Sequence, residues 1–459
     1  MSAKGETTVQ GAPPGSEVGR RATARAVLRL ATPAIAQSIL HTLVFLVDRA
    51  MLGRHAAASL ASMQISGPVA WATWSTLTAF CVGTVALVGR ATGAGDRPLA
   101  VAATRASLGW ALVTGLLAAG LGIGALDLLL SAFPAAGPEV REAASGYLGI
   151  VFGGMPLLMV SYTASAVFTA AGDARTPFFV AAAGNVLNIV LNWVLIFGEL
   201  GAPELGARGA AIASVSAMAL TSVVLLGLMA RRGRFASLRG GGGEAAAFRR
   251  MLRVAGAAFG ERVVHHVGFL GFVAMIGALG ALSMAANQAL ISIESICFLS
   301  AEGFGLAAAA IVAQRLGARR PAEAAFGGWV AAAMALALLG ACAVAFLLVP
   351  ELLLSAFTDD LEIVAAGVPC LFVAAAAQPF MAVSIVLAEA LRGAGATRVP
   401  LVVALIGGLV VRLGATWLLA FVWDLGLIGV WLGSTCDWVV RSALLAYVFL
   451  RGRWRDLSI

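Results

Sequence analysis

The chain has 459 residues, of which 60% are hydrophobic and only 12% are charged, and its net charge is +8. Because soluble domains carry about 25% charged residues, this composition excludes a soluble domain and a disordered or collagen-like chain. The arginines fall between apolar runs and not on one basic surface, so we expect no nucleic-acid partner. The runs are too long for β-barrel strands, and we predict an all-α polytopic membrane protein.

The N-terminal segment, residues 1–26, is polar and lacks the apolar stretch of a signal peptide. We predict that residues 1–26 form a disordered cytoplasmic tail. A second, short cytoplasmic tail is predicted at residues 452–459.

Twelve apolar runs lie between these tails, and each is about as long as the 20 residues that an α-helix needs to cross a bilayer. They are rich in Ala, Leu, Val and Gly, as packed membrane helices often are. The spans predicted in the first half are 28–52, 61–89, 103–127, 145–170, 177–198 and 209–230. Those predicted in the second half are 252–278, 284–313, 324–349, 364–391, 399–422 and 426–450.

The basic residues indicate how the twelve spans are oriented. An even number of spans places both termini on one side, and with cytoplasmic termini most of the 31 Lys and Arg residues are cytoplasmic. The exceptions are Arg49, Arg54, Arg141 and Arg208 outside, and Arg262 and Arg412 within spans. By the positive-inside rule we predict a multi-pass protein of the bacterial inner (cell) membrane with both termini cytoplasmic.

The sequence matches itself at a shift of 224 residues. Leu-Leu-Leu-Ser-Ala-Phe occurs at 128–133 and again at 352–357, and His41 falls on His265. Each half holds six spans, so the halves are parallel repeats related by a pseudo-two-fold axis along the membrane normal. The predicted domains are an N-terminal six-helix lobe at 27–230, a basic cytoplasmic connector at 231–250 and a C-terminal six-helix lobe at 251–451.

Two similar lobes around an axis favour a transporter that works by alternating access. The sequence has no phosphate-binding loop, no HExxH motif and no Cys/His cluster, and its five cysteines lie in apolar runs that indicate packing. We therefore predict neither an enzyme nor a metal or organic cofactor. The energy must then come from an ion gradient, with H+ or Na+ as the coupling ion.

Polar side chains inside a predicted span are costly, and each needs a partner or a function. Asp48 lies in span 1, but its repeat partner is Phe272, so repeat packing does not require the acid. Asn188 and Asn192 share one face of span 5 with Asn185. We predict that Asp48 binds the coupling cation with help from Asn188 and Asn192. The alternative is hydrogen bonding between helices.

Glu261 is the second acid without an equivalent, since Gln37 stands at the matching position. It is predicted to meet a cationic substrate or a second cation, and the alternative is an ion pair with adjacent basic residues. For the repeat-equivalent histidines, a proton relay and a structural bond both remain open. The candidates for the substrate cavity are Gln37, His41, His265 and Glu294.

Several charged residues in the second half are predicted to pair with one another. Glu389 lies close to Arg392, and Asp437 and Arg441 are four residues apart on one helix, where Arg412 can join them. The pairs are predicted to be scaffold. The role of Glu302 stays open.

A set of motifs resembles the MATE (multidrug and toxic compound extrusion) family, within a wider flippase-like superfamily, over residues 27–452. The motifs of the first half are Leu-Val-Asp-Arg-Ala-Met-Leu-Gly at 46–53, Gly-Asp-Ala-Arg-Thr-Pro at 172–177, Gly-Asn-Val-Leu-Asn-Ile-Val-Leu-Asn at 184–192 and Gly-Ala-Arg-Gly-Ala-Ala-Ile-Ala at 206–213. The second half adds Ala-Ala-Asn-Gln-Ala-Leu at 285–290, Ala-Leu-Arg-Gly-Ala-Gly at 390–395 and Gly-Val-Trp-Leu-Gly at 429–433.

The resemblance implies a monomer that exports cationic or amphipathic small molecules, such as drugs and xenobiotics, through the lipid membrane by antiport. It places Asp48, Asn188 and Glu261 at the cation sites of the family. Two departures favour a proton over sodium, because each site keeps a single carboxylate. Asn192 stands where some members have an aspartate, and Ala382 lies near the place of a second aspartate in members that use the Glu261-type site.

The same superfamily offers two alternatives, a flippase for lipid-linked precursors and a dedicated metabolite exporter. Such flippases need cationic cavity residues to meet phosphate, whereas the unmatched residues here are acids, which favour cationic substrates. A membrane enzyme would need a clustered catalytic set, which the sequence lacks.

Overall fold

The computed structural model describes residues 17–131, 133, 137–231 and 243–457, and within them it is helical without any strand, as predicted. The helices of the first half are α1 (Glu17–His55), α2 (Ala57–Thr78), α3 (Cys81–Ala94), α4 (Arg97–Gly124), α5 (Leu126–Ser131), α6 (Pro138–Gly153), α7 (Met155–Ala170), α8 (Arg175–Phe197) and α9 (Ala207–Arg231). Those of the second half are α10 (Glu244–Ala278), α11 (Ala281–Gly317), α12 (Pro321–Leu348), α13 (Pro350–Ser355), α14 (Leu361–Gly393), α15 (Arg398–Ala404), α16 (Arg412–Trp417) and α17 (Gly426–Arg451). Two π-helical stretches, Leu405–Val411 and Leu418–Val422, continue α15 and α16.

Nine of the described helices are long and apolar enough to cross a membrane, with α2–α3 and the stretch from α15 to Val422 each counted as one. Helices α6 and α7 form a tenth candidate, bent by 51°. Helices α1 and α17 are not among the ten. Both carry charged residues well inside their length, Asp48 in α1 and Asp437 in α17. Every predicted run coincides with a helix or a helix pair, and the count of twelve stays a prediction.

The predicted tails differ from the structure. Helix α1 already begins at Glu17, so the expected disordered tail is wrong for residues 17–26, while residues 1–16 lie outside the described part. Alanine and arginine in this stretch are strong helix formers, and Val27 is fully buried. At the other end Trp454 stacks on Phe449 with ring centroids 4.6 Å apart, so the segment after α17 is docked.

The connector predicted at 231–250 is also shorter than expected. Helix α9 runs to Arg231 and α10 begins at Glu244, so residues 244–250 are helical, whereas residues 232–242 lie outside the described part. Glu244 pairs with Arg105 at 3.1 Å, which holds the start of α10 against α4.

The internal repeat is visible in the helix bounds. Helix α4 covers 97–124 and α12 covers 321–348, a shift of 224 residues at both ends. The six-residue helices α5 at 126–131 and α13 at 350–355 have the same shift. Local structure thus follows the duplication that the sequence predicts.

The two halves meet in a reciprocal contact between α3 and α11. Gly93 lies so close to α11 that a Cβ atom there would be 1.9 Å from the carbonyl oxygen of Gln314. Its repeat equivalent, Gly317, would clash in the same way with the carbonyl oxygen of Arg90, at 2.1 Å. Because Arg90 and Gln314 are themselves repeat equivalents, the contact is isologous, as a two-fold axis between the halves requires.

Hydrogen bonds close the same end of the molecule, again in equivalent pairs. Arg90 Nη2 donates to the carbonyl oxygen of Ala394 at 2.8 Å, and Gln314 Nε2 donates to that of Ala170 at 2.7 Å. Each side chain therefore caps the end of a helix in the opposite half. Arg90 Nη1 also donates to the carbonyl oxygen of Leu457, at 2.6 Å, which ties the C-terminal segment to this closure.

Candidate functional site

The polar residues predicted for span 5 lie on the buried face of α8, which packs against α1. Asn188 is 3% exposed and Asn192 is fully buried. Their spacing of four residues stacks the two amides on one helix face, opposite the part of α1 that carries Asp48. The fold therefore brings Asp48, Asn188 and Asn192 together, as the sequence predicts.

Hydrogen bonds connect the three side chains. Asn192 Nδ2 donates to Asp48 Oδ1 at 2.5 Å and to Asn188 Oδ1 at 3.1 Å. Turning the Asn188 amide over brings its nitrogen 3.2 Å from Asp48 Oδ1 and lets its oxygen accept from Ser214. Within the described residues the buried Asn192 Oδ1 has no hydrogen-bond partner. The site thus holds one carboxylate and a free acceptor oxygen in a buried setting.

This geometry suits a small cation and not a multivalent metal. Among the described residues no group of three or more His, Cys, Asp or Glu side chains is placed to hold a metal ion. A single buried carboxylate can take up one proton, and the asparagine amides can adjust their donors and acceptors to either protonation state. The expectation that Asp48 carries the coupling ion stays a prediction.

A small cavity of about 380 Å³ lies in the N-terminal half near this site. It is lined by Gln37 of α1, Tyr162 of α7 and Asn185 of α8, together with small residues. Asn185 and Asn192 are seven residues apart, which is about 10 Å along a helix. Gln37 therefore lies in a cavity, as predicted for a substrate-cavity residue, at some distance from Asp48.

The surroundings of Glu261 differ from the expectation of a cation site. Both carboxylate oxygens of Glu261 accept from Arg392 of α14, with Oε1 2.5 Å from Nη2 and Oε2 3.1 Å from Nε. Glu389 binds the Nη1 atom of the same guanidinium. Arg392 thus occupies the position that a cation would take, and the prediction of an ion pair is the one that the structure matches.

Arg392 is the residue whose role at Glu261 was missed from the sequence. Only its neighbour Glu389, three residues away on α14, was expected to pair with it, and that pair is confirmed. The two partners Glu261 and Arg392 are 131 residues apart, so no local spacing signals their contact.

The predicted scaffold cluster of the last spans is present. Asp437 is fully buried and accepts from Arg412 at 2.9 Å and from Arg441 at 2.5 Å. A Cβ atom on Gly407 would lie 2.4 Å from Asp437 Oδ1, so the π-helical stretch after α15 needs a glycine there to make room. The three charges link α16 to α17.

A second cavity, of about 650 Å³, lies in the C-terminal half. His265 and Glu261 line it, whereas Glu294 lines neither of the two cavities described here. The side chain of His41 lies outside the described residues. The candidate residues are therefore divided between the halves, with Asp48, Asn188, Asn192 and Gln37 in one half and Glu261 and His265 in the other.

A comparison with protein families finds the same two-part organisation. The MatE family model matches residues 33–194 and again residues 258–418, one match in each half. The two matches together cover more than half of the chain, and each includes part of a candidate site.

Individual relatives extend the match over most of the chain. A protein of Thermotoga maritima described as "Probable multidrug resistance protein NorM" is 29% identical over 94% of this chain and 93% of its own length. A protein of Pseudomonas aeruginosa with the same description is 30% identical over 89% of this chain and 85% of its own length.

Solved structures share the fold. One described as an outward-facing conformation of a multidrug resistance MATE family transporter matches with a TM-score of 0.85 and 22% identity, over 94% of this chain and 96% of that chain. A Pyrococcus furiosus transporter structure, described by the reverse polarity of its binding pocket, also matches with a TM-score of 0.85, at 21% identity over 94% of this chain and 96% of that chain.

Proposed function

The chain belongs to the MatE family, and we propose that it is an antiporter that exports cationic or amphipathic drugs in exchange for protons. In this proposal α1, α17 and the bent pair α6–α7 join the nine apolar spans to make twelve. The halves at 27–230 and 251–451 then act as two lobes that rock about their common axis. The relatives described as probable multidrug resistance proteins support the substrate class.

The observation that carries the proposal is the buried Asp48 carboxylate bonded to Asn192. A charged carboxylate inside a membrane span costs several kcal/mol, so a proton that neutralises it changes the stability of the surrounding helix contacts. Uptake of that proton can therefore select one conformation over the other. A sodium ion needs several oxygen ligands, and Asp48 supplies the only carboxylate in the described hydrogen-bond network with Asn188 and Asn192.

Closure at Gly93 and Gly317 supports the rocking mechanism. Backbone contact and helix-capping bonds join the halves at the ends of α3 and α11, which the positive-inside rule places on the cytoplasmic side. Access from the cytoplasm then requires that these contacts open.

Efflux of a fluorescent cationic dye from cells tests the proposal. Cells that express the protein should export the dye, and export should stop with Asp48→Asn and with a proton uncoupler. Asp127→Asn is the matched control, because Asp127 is an exposed acid in α5 of the same half. Wild-type protein that is folded in the membrane and exports none of several cationic dyes would contradict the multidrug function.

A further inference from the structure

Acids and arginines balance in the cavity of the C-terminal half. Its charged lining residues are Glu261, Glu302, Glu389, Arg262, Arg392 and Arg441. A cavity that took only cations would be expected to carry a surplus of acids. The balance therefore points away from a simple cation site.

Most of these charges are already satisfied within the protein. Arg392 holds Glu261 and Glu389, and Arg441 is bound to Asp437, which lies behind the cavity. Arg392 and its two acids are each less than one-fifth exposed. These charges form the walls of the cavity and leave little binding capacity for a ligand.

Two charges of opposite sign remain. Arg262 of α10 and Glu302 of α11 line the cavity and have no hydrogen bond and no ion pair within the part of the chain that the structure describes. They lie near enough for their charges to interact, yet their side chains are more than 4.0 Å apart and leave space between them. An unpaired charge at membrane depth is costly, so the pair is best explained by a ligand that satisfies both.

We propose that this cavity binds a zwitterionic amphiphile, whose cationic group meets Glu302 and whose carboxylate meets Arg262. The apolar body of the ligand packs against Phe298 and Trp438, which line the same cavity. A guanidinium binds a carboxylate through two parallel hydrogen bonds, so Arg262 selects for that group. The inference rests on the proposed export function and narrows its substrates to molecules that carry both charges.

A pair of dyes that differ only in one charge tests the inference. Rhodamine B carries a free carboxylate and a cationic xanthene, whereas its ethyl ester keeps only the cation. Binding to the purified protein in detergent is measured by fluorescence polarisation, which does not depend on ion coupling. Wild-type protein should bind rhodamine B about tenfold more tightly than the ester, because only the free acid satisfies Arg262.

Substitutions then assign the two groups. Arg262→Gln should remove the preference for rhodamine B and leave the affinity for the ester unchanged or higher. Glu302→Gln should weaken the binding of both dyes. Arg253→Gln is the matched control, since Arg253 is an exposed arginine on the same helix α10 and does not line the cavity.

Equal affinity of wild-type protein for the two dyes, or an equal effect of Arg262→Gln on both, would overturn the inference. Export is measured in parallel in proteoliposomes. Asp48-dependent export of the ester without any preference for the acid would leave the proposed function standing and remove this inference. Selective binding of the acid without export of either dye would instead uphold the site and contradict the proposed function.

Discussion

At the scale of single residues, buried charges divide the two halves by chemistry. In the N-terminal half Asp48 meets only neutral amides, so its charge is free to change with the bound cation. In the C-terminal half Glu261 meets the fixed charge of Arg392, which cannot be deprotonated at physiological pH. We therefore assign ion coupling to the N-terminal half and a structural role to Glu261.

This assignment predicts that Arg392→Gln destabilises the protein. The substitution leaves Glu261 and Glu389 buried without their partner, a change that costs about 3–5 kcal/mol when one member of a buried pair is lost. Thermal unfolding in detergent should show a clearly lower midpoint. The double variant Arg392→Gln, Glu261→Gln should recover part of the loss. A double variant that is no more stable than the single one would contradict the pairing.

A second residue prediction concerns Asn192. Replacing it with leucine removes the donor to Asp48 and keeps a similar side-chain volume, so we expect dye export to fall about tenfold while the protein still folds. Asn185→Leu is the control on the same helix, because Asn185 faces the cavity of the N-terminal half and not Asp48. Equal loss in both variants would show that the face of α8, and not its bond to Asp48, determines export.

At the scale of elements, periodicity and composition predicted the helices well but not how they end or break. The runs around 145–170 and 399–422 were predicted as single spans, whereas the first is the bent pair α6–α7 and the second contains two π-helical stretches. Proline 156 signals the first break, since proline cannot continue the hydrogen-bond ladder. The π-helical stretches depend on Gly407, whose close contact with Asp437 is long-range and leaves no local signal.

The close approach of α3 and α11 predicts that Gly93 cannot be replaced. A methyl group at Gly93 would push against the backbone of α11, and the halves would separate at this end. We expect spin labels at Pro98 and at its repeat equivalent Ala322, both exposed, to move apart in Gly93→Ala. Gly109→Ala is the control, because nothing lies within 4 Å of a Cβ atom there. An unchanged distance in Gly93→Ala would contradict the packing.

At the scale of the whole molecule, the duplication explains both the symmetry and its breakdown. The scaffold obeys the two-fold relation down to the bonds of Arg90 and Gln314, and a shift of the sequence against itself predicts this relation. The functional side chains do not obey it, since Asp48 corresponds to Phe272 and Glu261 to Gln37. The sequence therefore pointed to the candidate site through the positions where the repeat fails.

The C-terminal segment predicts a further asymmetry of the closed end. Arg90 binds Leu457 in addition to Ala394, whereas Gln314 is bonded only to Ala170 in the hydrogen bonds of this contact. Trp454→Ala should loosen the segment and increase the fraction of molecules in which labels at Pro98 and Ala322 are far apart. Arg453→Ala, at an exposed position in the same segment, should have no effect. Identical distance distributions for both variants would exclude a role of the segment in closure.

The most direct test of the account is dye transport by purified protein in proteoliposomes with an imposed pH gradient and no sodium. We expect wild-type protein and Asp127→Asn to move the dye against its gradient, and Asp48→Asn to bind the dye without accumulating it. A sodium gradient at equal pH on both sides should drive no transport. Transport by Asp48→Asn that still depends on the pH gradient, or transport driven by sodium alone, would contradict proton coupling through Asp48.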